Sequence, residues 1–167
     1  MERLKNYIDG QLEIGFMKLS PNAIIPERAH EWDAGYDMTA ISKKETPEYI
    51  QYGTGLSFDI PKGYVGLIFP RSSVTKKDLM LKNAVGVIDS GYIGEVSFRF
   101  YKIITKELSS TTKILSHIKK EDQKVYEIND KIGQIIFMKL PSIKLVEVEE
   151  LSTTERGSGG FGSTDKK

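Results

Sequence analysis

The run GQIIFMKL, residues 133–140, is apolar on both faces, and it limits the possible folds more than any other stretch. Consecutive hydrophobic side chains must be covered from both sides, which is the condition of a central strand. The other apolar runs are short and strand-like. EIGFMKL (13–19) comes first, and YVGLIF (64–69) follows the turn IPKG. VSFRFYKI (96–103) alternates, with Val96, Phe98 and Phe100 on one face and Ser97, Arg99 and Tyr101 on the other. IKLVEVEEL (143–151) returns to alternation and is expected to form a further strand. Turn residues separate these runs at Pro61–Lys62–Gly63, Ser90–Gly91 and Pro141. Long amphipathic helices are scarce. The pattern predicts an all-β sandwich or barrel.

Composition narrows the chemistry. A chain of 167 residues can bury one real core. Its net charge of +1 provides no bulk field for nucleic acid or an anionic membrane, so any basic chemistry is local. There is no Cys, which excludes disulfides, thiolate nucleophiles and Cys-based zinc sites. His30 and His117 are the only histidines, too few for a His-rich metal centre, and HExxH does not occur. No apolar run is long enough to span a membrane, and the charged start does not resemble a secretion signal. A cytoplasmic protein is expected. Residues 1–11 read as a polar extension and 12–151 as the domain. Residues 104–127 read as a charged, partly helical excursion from it, and 152–167 as a flexible arm.

The arm carries ERGSGGFGST (155–164). Gly157 to Gly162 form a literal G-x-G-x-x-G, but the few residues that follow leave no room for the helix and βαβ unit of a dinucleotide fold. The local physics remains. Glycines let backbone N–H groups converge on an anion, and Arg156 adds a bidentate phosphate partner. Ser163 and Thr164 add hydroxyls, and Phe161 offers a flat face to a base. A plain Gly/Ser linker stays open as the alternative. In PRSSVTKKDL (70–79), Arg71, Ser72 and Ser73 can cradle phosphate at a short helical turn, or the serines can simply cap it. NAVGVIDSGYIGEV (83–96) predicts a strand to Asp89, a tight turn at Ser90–Gly91 and a hairpin return through Tyr92. Asp89 is then either a rigidly held carboxylate or an Asx-turn residue. In DAGYDMTA (33–40), Asp37 reads by default as a structural Asp bonding backbone N–H groups. In KIGQIIF (131–137), Gln134 opens a buried strand and either caps it or meets a ligand.

No one of these stretches decides the function, but their series does. AGYDMTA, PRSSV, NAVGVIDSGYIGEV, KIGQIIF and ERGSGGFGST, in this order, closely resemble the five motifs of the homotrimeric dUTP pyrophosphatase (dUTPase) family, from about Leu12 to Thr164. The resemblance implies a β jelly-roll subunit, a homotrimer whose three sites each draw on all three chains, and an arm that closes over a neighbour's site. It implies hydrolysis of dUTP to dUMP and pyrophosphate, with Mg²⁺ carried mainly by the phosphates and water. Asp89 matches the general base. Arg71, Ser72 and Ser73 match the phosphate-binding trio, and Gln134 matches the Gln at the α-phosphate. Asn83 and the backbone of Val85, Gly86, Val87 and Ile88 would line the uracil slot, with Tyr92 under the deoxyribose. Phe161 would stack on uracil, while Arg156, Gly162, Ser163 and Thr164 would hold the phosphate end. Asp37 is left open between touching a metal-bound water and bracing the site.

Two positions depart from the family pattern: Gly91 where many members are acidic, and Ile93 where many are basic. The excursion at 104–127 resembles an elaboration of phage-type members, some of which bind regulatory proteins. Two alternatives therefore stand beside the hydrolase. One is a dCTP deaminase-like enzyme, which shares the Arg-Ser-Ser trio but needs a Glu at the base. The other is a nucleotide-gated module that binds a regulatory protein through the insert. No membrane partner and no direct nucleic-acid binding are expected.

Overall fold

The computed structural model describes residues 7–8, 11–103 and 123–160. Twelve strands follow one another in the described chain: β1 (Tyr7–Ile8), β2 (Gln11–Leu12), β3 (Gly15–Lys18), β4 (Tyr36–Thr39), β5 (Ser42–Glu45), β6 (Ile50–Gly53), β7 (Leu56–Asp59), β8 (Tyr64–Phe69), β9 (Leu79–Leu81), β10 (Gly86–Asp89), β11 (Ser97–Lys102) and β12 (Lys131–Lys139). One 3₁₀ turn, Ser72–Lys76, follows β8. Two four-stranded sheets, β10-β8-β12-β4 and β5-β6-β11-β9, carry the architecture, and the ladders β1-β2 and β3-β7 flank them. Every strand pairing among the described residues is antiparallel. β1 and β2 lie within or beside the segment read as a polar extension.

The strongest sequence signals sit where they were expected. YVGLIF is β8, and GQIIFMKL lies almost wholly within β12, which is hydrogen-bonded to β8 on one side and β4 on the other. In β11 and just before it, Val96, Phe98 and Phe100 are buried while Arg99 and Tyr101 point outward. Phe98, Phe100, Tyr52 and Leu81 of one sheet and Met38, Ile68, Ile132 and Ile135 of the other close one shared core. The sheets meet tightly at Gly133, where an added Cβ would lie 2.1 Å from the Phe98 ring. The weaker strands escape notice in the sequence for a physical reason. SKKE (β5) is a short edge strand whose side chains are mostly exposed, so it carries no apolar stripe.

Two expectations are corrected. IKLVEVEEL forms no strand; Ile143, Leu145, Val146, Val148 and Leu151 are all exposed along irregular chain. Alternation marks a strand only when another strand lies within reach, and none of the described ladders offers one. The hairpin after Asp89 does not form either. Among the described residues β10 pairs with β8 alone, and residues 93–96 cross to the second sheet. That crossing is held elsewhere: Ser57 Oγ donates to Ile93 O at 2.6 Å, Val96 N to Leu56 O at 2.8 Å, and Gly55 N to Glu95 Oε1 at 2.7 Å. Of the excursion read at 104–127, residues 104–122 lie outside the described residues, and 123–127 contain no helix.

Candidate active site

The end of β8 is the point where three of the sequence stretches meet. After Phe69 the chain passes Pro70 and enters the 3₁₀ turn, with Arg71 as its N-cap in extended conformation. No side chain caps this turn, so the capping reading of Ser72 and Ser73 falls away. Ser72 is exposed, and the Ser73 hydroxyl is buried without a hydrogen-bond partner. Beside the turn, Gln134 of β12 is paired with Phe69 on one side and Asp37 on the other. Gln134 therefore lies inside its strand, three residues after the start, and its Nε2 donates to Pro70 O at 3.3 Å. Its side chain fits only because residue 35 is Gly: a Cβ there would lie 2.2 Å from Gln134 Oε1.

Asp37 ties the cluster together. Its Oδ1 lies 2.7 Å from Arg71 Nε, and its Oδ2 accepts from Lys131 Nζ at 2.8 Å. The Asp37 carboxylate is only 11% exposed, so these bonds are partly desolvated. Both oxygens are engaged by cations, which is the geometry of a brace that aims the Arg71 guanidinium. Lys131 was not singled out from sequence, although a Lys opening an apolar strand three residues before Gln134 is a readable signal.

Asp89 stands at the other end of the same strand pair. It is opposite Val65, whereas Gly86 is opposite Ile68. At ~3.4 Å per residue along β8, Asp89 and the Arg71 turn are on the order of 13 Å or more apart. No described hydrogen bond engages the Asp89 side chain; its backbone O accepts from Tyr92 N at 3.0 Å, so the turn does not consume the carboxylate. β10 is the edge of its sheet, and its free backbone edge can pair with a planar polar ligand. Asn83 packs over Gly86, and Ala84 between them holds a left-handed φ of 56°. Val85, Val87 and Tyr92 are exposed, and Ile88 is partly buried. Tyr92 folds over Gly94, its hydroxyl donating to Glu95 O at 3.0 Å.

In the arm, Arg156 lies in two consecutive turns. Gly157 N donates to Thr154 O at 3.1 Å, Gly159 N to Arg156 O at 3.1 Å, and Arg156 Nε to Gly159 O at 3.2 Å. These bonds are all internal to the arm. Phe161, Gly162, Ser163 and Thr164 lie outside the described residues. One chain thus brings Arg71, Ser73, Gln134 and Asp37 together and holds Asp89 with the Asn83–Tyr92 segment apart from them.

Fold and site define a β-sandwich protein with an anion-suited cluster at one strand end and a carboxylate on a sheet edge. The chain belongs to the dUTPase family, whose model matches residues 21–114 and 101–165, two segments that overlap at the excursion. It is 39% identical over 153 residues to a deoxyuridine 5'-triphosphate nucleotidohydrolase of Clostridium acetobutylicum, covering 90% of this chain and 94% of that protein. The corresponding Nautilia profundicola protein is 35% identical over 158 residues, covering 93% and 100%. Among solved structures, the Staphylococcus bacteriophage 80alpha dUTPase with dUpNHpp superposes with a TM-score of 0.71 at 31% identity, over 90% of this chain and 97% of that one. The dUTPase of phage phi11 of S. aureus, described as showing a species-specific insert, gives 0.64 at 30% identity over 85% and 99%. The fold is the dUTPase-like jelly roll.

Proposed function

We propose that this chain is a dUTP diphosphatase that hydrolyses dUTP to dUMP and pyrophosphate. This limits the dUTP available for incorporation into DNA and supplies dUMP. Family membership over nine-tenths of the chain carries the reading, and the convergence of Arg71, Gln134 and Asp37 at one strand end supports it. A deaminase is disfavoured because the position of its Glu is occupied by Asp89 and Tyr92.

In this reading Asp89 orients a water and takes its proton as the water oxygen attacks the α-phosphorus. The bond from the α-phosphorus to its bridging oxygen breaks, and pyrophosphate leaves. Arg71, Ser72 and Ser73 hold the phosphate chain, with Gln134 at the α-phosphate. Asn83 and the backbone of Val85 to Ile88 read uracil at the open edge of β10, and Tyr92 packs under the deoxyribose. A 2′-hydroxyl would clash there or stay unpaired. From the arm, Phe161 would cover the base, and Arg156, Gly162, Ser163 and Thr164 the phosphates.

The donor set fits a Mg²⁺ carried on the phosphates. No described group of three or more His, Asp or Glu side chains could cage an ion, and both Asp37 oxygens already meet cations. A hard cation that keeps its waters needs no such cage, and when bound it would withdraw charge from the leaving pyrophosphate.

The working unit is a homotrimer with shared sites. The observation that favours this is the separation of Asp89 from the Arg71 turn within one chain. A second copy setting its β10 edge against that turn would complete a site. The exposed Ile143–Leu151 stretch, alternating yet without a partner strand, is suited to pairing with another copy, and it would carry the arm there. Sedimentation at several protein concentrations tests the trimer, and a monomer with full turnover would overturn shared sites.

A second role can coexist with hydrolysis. The phage 80alpha structure is described as one in which phage dUTPases control transfer of virulence genes by a G protein-like mechanism. By analogy the segment at 104–127 would contact a regulatory protein. Pull-down with and without a nonhydrolysable dUTP analogue, repeated after deletion of 106–124, tests it; an unchanged catch would refute it.

The test of the main reading is pyrophosphate release from dUTP, dCTP, dTTP and UTP, with Mg²⁺ and again with EDTA. Mg²⁺-dependent turnover of dUTP alone is expected. Ammonia release from dCTP, or binding of dUTP without turnover, would overturn it.

A further inference from the structure

Tyr92 is 46% exposed, yet its hydroxyl is tied: Oη donates to Glu95 O at 3.0 Å. The ring lies over Gly94, where an added Cβ would meet Tyr92 Oη at 2.6 Å and Cζ at 2.7 Å. The direction of Glu95 O is set by its own peptide. The N–H and C=O of a trans peptide point in opposite directions. Val96 N, on the far side of that peptide, donates to Leu56 O at 2.8 Å, which aims Glu95 O away from Leu56. The Glu95 side chain makes a second tie. Its Oε1 accepts from Gly55 N at 2.7 Å, across the corner between β6 and β7. It has room there because residue 53 is Gly: a Cβ at that position would lie 2.6 Å from Oε1. A carboxylate on a backbone N–H is a charge-assisted bond, stronger than a neutral one. One residue thus grips the second sheet with its side chain and Tyr92 with its backbone.

We propose that Glu95 is a positioning residue for sugar selection: its carboxylate anchors the 93–96 crossing to Gly55, and its carbonyl holds the Tyr92 hydroxyl, so the ring keeps one place under the sugar. This rests on the reading of Tyr92 as the residue beneath the deoxyribose. A half-exposed ring with a free hydroxyl can turn about its side-chain torsions and make room for a 2′-hydroxyl. A ring tied at its tip cannot. Exclusion of a ribonucleotide is then only as strict as the support behind the ring.

The ratio of kcat/KM for dUTP to that for UTP reads the effect. Glu95→Ala should lower this ratio about ten-fold, the scale of one lost charge-assisted hydrogen bond. Glu95→Gln keeps an oxygen for Gly55 N and should stay within about two-fold of the wild type. Tyr92→Phe frees the ring at the other end of the same tie, so adding Glu95→Ala to it should lower the ratio by less than about two-fold. A merely structural residue would instead depress both substrates together and leave the ratio unchanged. That result, or losses that multiply, would overturn the proposal. Glu95→Asp, shorter by one CH₂, takes the place of Glu95→Ala if that variant does not fold. Amide exchange at Val96 keeps the tie apart from the sugar reading. If the wild type hydrolyses dUTP and UTP alike, Tyr92 does not select the sugar, and the role of Glu95 in selection falls with it. The anchoring itself then stands only if Val96 exchanges about ten-fold faster in Glu95→Ala and at the wild-type rate in Glu95→Gln, and an unchanged rate overturns it as well.

Discussion

Replacing Asp37 by Asn removes one negative charge from between two cations while keeping the shape of the side chain. Arg71 Nε and Lys131 Nζ lie 2.7 and 2.8 Å from the two oxygens. The Arg71 side chain is one-third exposed and that of Lys131 half exposed, so solvent screens the second pair more. A partly buried charge-assisted bond contributes about 1.5 kcal/mol here and the outer pair about 0.5, or roughly 2 kcal/mol together. For a chain of this size that corresponds to a fall in Tm of about 4–8 °C. Calorimetric melts at fixed protein concentration and low salt read it, and 0.5 M NaCl should narrow the gap as the pairs are screened. The same variant should lose turnover because Arg71 is no longer aimed, while its Mg²⁺ requirement stays as in the wild type. A Tm within about 1 °C of wild type, with a half-saturating Mg²⁺ concentration raised several-fold, would refute the brace and assign Asp37 to a metal-bound water.

Three further outcomes are expected. Asp89→Asn should abolish turnover while a nonhydrolysable dUTP analogue still binds; a near-normal kcat would remove Asp89 from the role of base. Ala84→Gly should raise stability by about 0.5–1 kcal/mol, because Ala84 sits at φ 56° where a Cβ is crowded and Gly is not, less the extra entropy Gly has when unfolded; an unchanged urea midpoint would argue that the loop carries no strain. Stability should fall as pH rises above 10. Burial raises the pKa of Tyr52 and Tyr126 in the folded chain above their ordinary 10.0, so only the unfolded chain loses these protons first. The loss begins at the unfolded value, and below it this contribution is intact. Absorbance titration of the eight tyrosines should show these two silent until the chain unfolds.

The sequence by itself determined the all-β class, the central position of GQIIFMKL and the inward row Val96, Phe98 and Phe100. Apolar periodicity is a local property, and those side chains have one place to go. The motif series likewise carried the family, because five short runs in one order are far more specific than any one of them. What lay beyond sequence was partnership. The alternation in IKLVEVEEL says that one face wants cover, but not that the covering strand is missing from the same chain. The Ser-Gly turn after Asp89 says that the chain bends, but Thr54, Leu56 and Ser57 draw residues 93–96 to the second sheet. The sequence left Asp37 open between a metal-water contact and a brace, and only the fold shows Arg71 and Lys131 on its two oxygens. Tyr126 is one aromatic in a charged stretch until folding packs its ring against Tyr52 and Phe100. Only the tertiary structure decides such pairings, because a polar group's role depends on which distant atom meets it once water has been removed.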